Sequence, residues 1–148
     1  MEKVILGISP GTRAIGIALI KDGRLELCSI HTNNAAVVTA TSSLIEKYSV
    51  TDISLLKSHT HASFPRQKQL MMDVQSLAEA KGIPSKTYST YDLRKLMPSS
   101  PKNKKIMFYY LTELFPELTA QYHKYTRERN SYHSKIFEAV ACAYAIIL

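Results

Sequence analysis

Three groups of residues in this sequence have types and spacings that do chemistry. The first is the turn Pro10-Gly11-Thr12-Arg13. Its backbone N–H groups and the Thr12 hydroxyl can meet a phosphate, with Arg13 adding charge. The same four residues also make a plain hairpin turn. The second group is Lys135 and Glu138, three positions apart on an apolar helical stretch. Glu138 is the only charge between Ile136 and Leu148. Burying it alone is costly, and Lys135, one turn earlier on the same face, can pair with it. A structural ion pair and a catalytic carboxylate are both open to it. The third group is His59, His61 and His133. Imidazoles suit a metal ion, and they serve equally as solvated loop residues.

Tyrosine supplies a weaker pattern. Tyr109-Tyr110, Tyr122, Tyr125 and Tyr132 interleave with Lys104, Lys105, Lys124, Arg127 and Arg129. Aromatic rings among cations stack on unpaired bases. Helix faces and core edges use tyrosine as often.

The elements that must position these groups follow from the pattern. Val4, Ile5, Leu6 and Ile8 form a short apolar run, the mark of a buried strand. Ile15–Ile20 resumes as a second strand, Asp22-Gly23 turns, and Leu25–Ile30 returns as a third. Asn33-Asn34 then caps a helix over Ala35–Tyr48. Ile53–Leu56 reads as a fourth strand and Ser58–Pro65 as a polar loop. A long helix covers Arg66–Lys81, with Gly82 as its stop. Pro84–Ser89 is a fifth strand, Thr90–Leu96 a helix, and Asn103–Leu114 another, stopped by Pro116. Glu117–Asn130 is polar and poorly periodic. Ser131–Leu148 is the last helix and is apolar almost all round.

Composition sets the outer limits. A chain of 148 residues is expected to form one domain, 1–148, with a real core. No run is long and apolar enough to span a bilayer, and the first residues lead straight into a strand. Cys28 and Cys142 lie in apolar settings with no motif between them, as reduced cysteines of a cytoplasmic protein would. The net charge of +7 favours a polyanionic partner. Its cations cluster in the later part of the chain, at Arg66 and Lys68, Arg94 and Lys95, and Lys102, Lys104 and Lys105.

The stretch Ile5–Ile20, ILGISPGTRAIGIALI, resembles the first strand of the RuvC-type Holliday junction resolvases, which reads like ILGIDPGTRxTGxxVI. Lys135–Ala141, KIFEAVA, resembles their DxxDALA helix. Three antiparallel strands followed by alternating strands and helices is the ribonuclease H-like order, so the resemblance covers essentially the whole chain. It implies an α/β ribonuclease H-like fold, with a mixed five-stranded sheet flanked by helices. It also implies a homodimer, with Arg66–Lys81 at the interface and Met71 and Met72 as its adaptable apolar surface.

The family holds divalent metal ions with four acids. The matching positions here are Ser9, Lys57 to within one residue, Lys135 and Glu138, of which only Glu138 is acidic. Ammonium groups repel Mg²⁺ where carboxylates would bind it. The resemblance therefore implies a nucleic-acid-binding protein, with branched or junction DNA as ligand, catalysis lost and no cofactor. Phosphate contacts are expected from Thr12, Arg13, Arg66, Lys68, Lys104 and Lys105. In this fold His59 and His61 fall on the same side of the sheet as His133, which gives a histidine metal site beside Glu138 as an alternative. An active Mg²⁺-dependent nuclease with an altered site and a scaffold without nucleic acid are the other readings. An actin-like ATPase is excluded by length, because its site lies between two such domains.

Overall fold

β1, Val4–Ser9, is the middle strand of a five-stranded sheet. The computed structural model describes residues 2–57, 65–98, 100–128 and 131–148. Every β1 residue is buried, which an apolar run with no exposed face requires. β2, Ile15–Lys21, pairs antiparallel with β1, bringing Ser9 opposite Gly16. Asp22 and Gly23 both take positive φ, at 53° and 77°, and close a two-residue hairpin into β3, Arg24–His31. β4, Asp52–Leu56, is parallel to β1, and β5, Ser85–Tyr88, is parallel to β4. The strand order is β3-β2-β1-β4-β5.

The pleat sorts the core into two layers. Val4, Leu6 and Ile8 point to one face, with Ile53 and Leu55 of β4. That face is covered by α1, Asn34–Tyr48, and α2, Pro65–Ala80. The Asn33 side chain accepts a hydrogen bond from the Ala36 N–H at 2.8 Å to start α1. Ile5 of β1 and Leu56 of β4 point to the other face. It is covered by α3, Thr90–Leu96, α4, Lys104–Leu114, α5, Thr119–Glu128, and α6, Ser131–Ile147. Ser89 and Asp92 form a reciprocal capping box on α3, and Asn103 caps α4.

α5 departs from the sequence expectation. Glu117–Asn130 reads as aperiodic, yet Pro116–Leu118 forms a 3₁₀ turn and Thr119–Glu128 a full helix. The periodicity is carried by Leu118, Tyr122 and Tyr125, four and three residues apart. Tyr125 meets Phe108 edge-on at 5.2 Å, Tyr122 meets Phe137 at 6.2 Å, and Phe108 stacks on Phe137 at 4.9 Å. Two of the interleaved tyrosines thus help pack α5 onto the core. The loop expected at Ser58–Pro65 lies, up to residue 64, outside the described residues.

α6 lies directly on the sheet. A Cβ on Gly7 would sit 2.1 Å from the Ala139 carbonyl oxygen, and one on Gly16 would sit 2.0 Å from that of Lys135. Only hydrogen fits at either point. Glycine on the strands, facing the Ala139 and Lys135 backbone, therefore fixes the height of α6 over β1 and β2.

Candidate functional site

That close approach brings the first turns of α6 to the C-terminal end of β1. Ser9 is fully buried and faces α6, on the same side of the pleat as Ile5. Its hydroxyl donates to Glu138 Oε2 at 3.5 Å. Ser134, one turn before Glu138, donates to Oε1 at 3.4 Å. Both bonds are long for O–H···O. Two ammonium groups make charged contacts as well. Lys135 Nζ lies 3.2 Å from Glu138 Oε1 and Lys104 Nζ 3.8 Å from it.

Glu138 is 2% exposed, so its charge is held by these two ammonium groups. The Lys135 side chain is itself largely buried, and Lys104 reaches in from the first turn of α4. Glu138 also acts on its neighbours. Burial first, and its negative charge second, raise both the Tyr125 hydroxyl and the Cys142 thiol.

The Lys135 stem lies over the turn that follows β1. A Cβ on Gly11 would be 2.7 Å from Lys135 Cε. The ammonium group therefore stands between the Pro10–Arg13 turn and Glu138. Thr12 and Arg13 are exposed in that turn. Lys105 is exposed beside Lys104. Arg66 and Lys68 are exposed in the first turns of α2, on the opposite face of the sheet from α6. The Arg66 carbonyl accepts from Asn34 Nδ2 at 3.0 Å, which ties the start of α2 to the start of α1.

Lys57 stands apart. Its N–H donates to the Tyr88 carbonyl at 2.7 Å, so the β4–β5 ladder runs on past Leu56. Strand alternation then places Leu56 on the Glu138 side and Lys57 on the other. The fourth-strand position expected at Lys57, to within one residue, falls by this register on Leu56. A residue count along an apolar strand leaves that parity open, and the backbone ladder decides it.

His133 pairs with Glu128 at 2.9 Å through Nε2. His59 and His61 lie outside the described residues. Among the described residues no three His, Cys, Asp or Glu side chains cluster as metal ligands do. Of the positions expected to match the family's acids, Ser9, Lys135 and Glu138 meet here, and on the fourth strand Leu56 rather than Lys57 faces them. Mg²⁺ takes several oxygen ligands with compensating charge. This set offers one carboxylate, already engaged by two cations. A like-charge contact near 4 Å costs roughly 1 kcal/mol in water and about 4 kcal/mol at an intermediate dielectric. The residues do not fit the family's metal pair.

Ser134 and Lys104 join the Glu138 cluster, and Lys104 entered the sequence reading as an expected phosphate contact rather than as a partner of Glu138. Ser134 was readable, since it lies four residues before Glu138 on one helix. Lys104 was not, because only the packing of α4 against α6 brings it near.

No protein-family model and no curated protein matches the sequence. Solved structures do resemble the fold. Thermus thermophilus RuvC in complex with its Holliday junction substrate superposes with a TM-score of 0.73 at 12% identity, over 97% of this chain and 91% of that one. The yeast mitochondrial Holliday junction resolvase Ydc2 gives 0.62 at 14% identity, over 97% and 77%. The fowlpox virus resolvase with Holliday junction DNA gives 0.61 at 11% identity, over 97% and 99%. Five strands in this order and register, with the last helix laid on the central strand, give this chain the fold seen in the RuvC-type Holliday junction resolvases.

Proposed function

We propose that the chain binds branched DNA, a four-way junction above all, at the end of the sheet where Ser9 meets Glu138, and does not cut it. The observation that carries this reading is the convergence of Lys135 and Lys104 on Glu138. A cation, Lys135, stands where the resemblance calls for a carboxylate, and Lys104 joins it from α4. The carboxylate holds two ammonium groups in place and is not free to hold a metal. Those groups, the exposed Arg13 and the N–H groups of the Pro10–Arg13 turn then bind phosphate directly. Nothing among these residues generates an attacking hydroxide. Arg66, Lys68 and Lys105 add sequence-independent contacts outside the cluster. The +7 charge and the solved junction complexes of the same fold support the choice of ligand.

The working unit is a homodimer, because a four-way junction presents two symmetry-related faces. α2 offers the surface, with Met72 exposed and Met71 half-buried.

Filter binding across a salt series tests the reading. The four-way junction should bind more tightly than a linear duplex of equal length. Arg13→Ala and Arg66→Ala should each reduce the log–log salt slope by about one. Equal affinity for junction and duplex, or affinity indifferent to salt, would sink it and favour the scaffold.

A further inference from the structure

A second surface on the α6 side of the sheet has its own chemistry. The segment between α3 and α4 packs along α4 around a groove of about 470 Å³, walled by Pro98, Pro101, Ile106, Tyr109 and Tyr110. Ile106 and Tyr109 are each about half exposed, at 48% and 53%. The groove continues past Ser100 and Pro101 into a smaller one beside Tyr91 and Lys95. Large apolar side chains presented together in a concave surface mark a binding site more often than a solvated face.

The groove is built before anything enters it. Arg94 Nη1 donates to the Lys102 carbonyl and so fastens the segment before α4 to α3. Pro101 is buried. Tyr109 is propped edge-on by Tyr122 at 5.7 Å. Lys95 Nζ rests 4.7 Å over the Tyr91 ring, which keeps a cation on the rim. A site whose walls are already fixed loses little entropy on binding.

Charge gives the groove a direction. Lys102 and Lys95 line one end, and Glu113, on the last turn of α4, lines the other. A helix rising 1.5 Å per residue sets Lys104 and Glu113 roughly 14 Å apart. The positive end is also the end nearest the Glu138 cluster, since Lys102 and Lys104 flank the α4 cap residue Asn103. The occupant that fits must be flat and apolar on one side and anionic on the other. Its anionic part must also lie toward the cations of the proposed DNA site.

We infer that this groove binds an unpaired nucleotide of a DNA strand, its base against Tyr109 and Ile106 and its phosphate on Lys102 and Lys95. The inference rests on the reading of the chain as a branched-DNA binder and adds a preference to it. Junctions with an unpaired strand bind better than fully paired ones. The groove takes the loose strand while the Ser9–Glu138 end takes the paired phosphates. Base stacking is tolerant of sequence, so the preference is for unpaired character and not for one base.

Fluorescence anisotropy with three labelled probes tests this. They are a fully paired four-way junction, the same junction with a tail of about ten thymidines, and the thymidine strand alone. Wild-type protein should bind the tailed junction about tenfold or more tightly than the paired one, within the range one stacked base supplies. Tyr109→Ala should abolish that preference while leaving the paired junction within about twofold, and Tyr109→Phe should retain it. Lys102→Ala, at an exposed position, should weaken tailed binding and lower its salt slope by about one. Thermal melts alike for wild type and Tyr109→Ala show that the ring's loss has not unfolded α5. No preference for the tail, or equal losses on both junctions in Tyr109→Ala, overturns the inference and leaves junction binding standing. Binding of the thymidine strand that depends on Tyr109, with no binding of the paired junction, upholds the groove and overturns the junction reading.

Discussion

The two halves of α6 do opposite things with the same sheet. From Ala139 onward the helix is apolar, and it presses so closely that Gly7 cannot carry a side chain. In its first turns Ser134, Lys135 and Glu138 bring polar and charged groups to the sheet's end, where Ser9 and Lys104 meet them. The backbone of both halves sets the position of the helix, at Ala139 over Gly7 and at Lys135 over Gly16, and the apolar half tolerates little change of shape. The charged half sits in the position so created, and there the sequence departs from the family pattern. Close packing is therefore held by backbone and apolar side chains, and site chemistry by the charged side chains. One can be kept while the other is rewritten.

The comparison breaks first at the glycines. Gly7→Val drives a branched side chain into the Ala139 backbone. It should cost about 3 kcal/mol or more, seen as a lower denaturant midpoint in urea unfolding or as failure to fold. In the charged half, Lys135→Met should cost about 3 kcal/mol, because among the described residues it leaves the buried Glu138 with Lys104 as its cation. The double change Lys135→Met with Glu138→Leu should recover most of that loss, since an apolar pair replaces a buried ionic one. Failure of the double variant to recover would mean that the two residues serve the fold through something other than their pairing. Lys104→Ala should cost under about 1 kcal/mol, since Lys104 is partly exposed and solvent screens it.

A smaller effect follows from Cys142, which is buried deep in the apolar half. Burial first, and the Glu138 charge second, push its thiol far above the ordinary value of 9.0. The fold thus prefers the neutral thiol. That contribution is fully present below the ordinary thiol value and is lost as pH rises beyond it toward the folded value. Stability measured in urea should fall above about pH 9, and Cys142→Ala should flatten that fall. At pH 8 a thiol reagent should label Cys142 only on unfolding.

Much of the fold was legible because its signals are local. The apolar run of β1, the Asp22-Gly23 hairpin and the Asn33 cap each announce an element, and each element formed. α5 was missed because its periodicity is written in tyrosines, which read as polar or as base-stacking groups until Phe108 and Phe137 are placed beside them. The meeting of Ser9, Lys135 and Glu138 was legible through the motifs at the two ends of the chain. Leu56 was not, because one step along an extended strand changes the face. Lys104 was not either, because its contact depends on how two helices with no sequence link come to pack.

On the proposed function, cations at the Glu138 cluster bind DNA where a metal pair would have cut it. The most direct test incubates the unmodified protein with a four-way junction in EDTA and in Mg²⁺, scoring binding and strand nicking together. The account predicts equal affinity in both buffers, no nicked product in either, and weaker binding for Lys135→Ala. Robust Mg²⁺-dependent cleavage by the unmodified protein, abolished by Glu138→Gln, would contradict it and make the chain a nuclease.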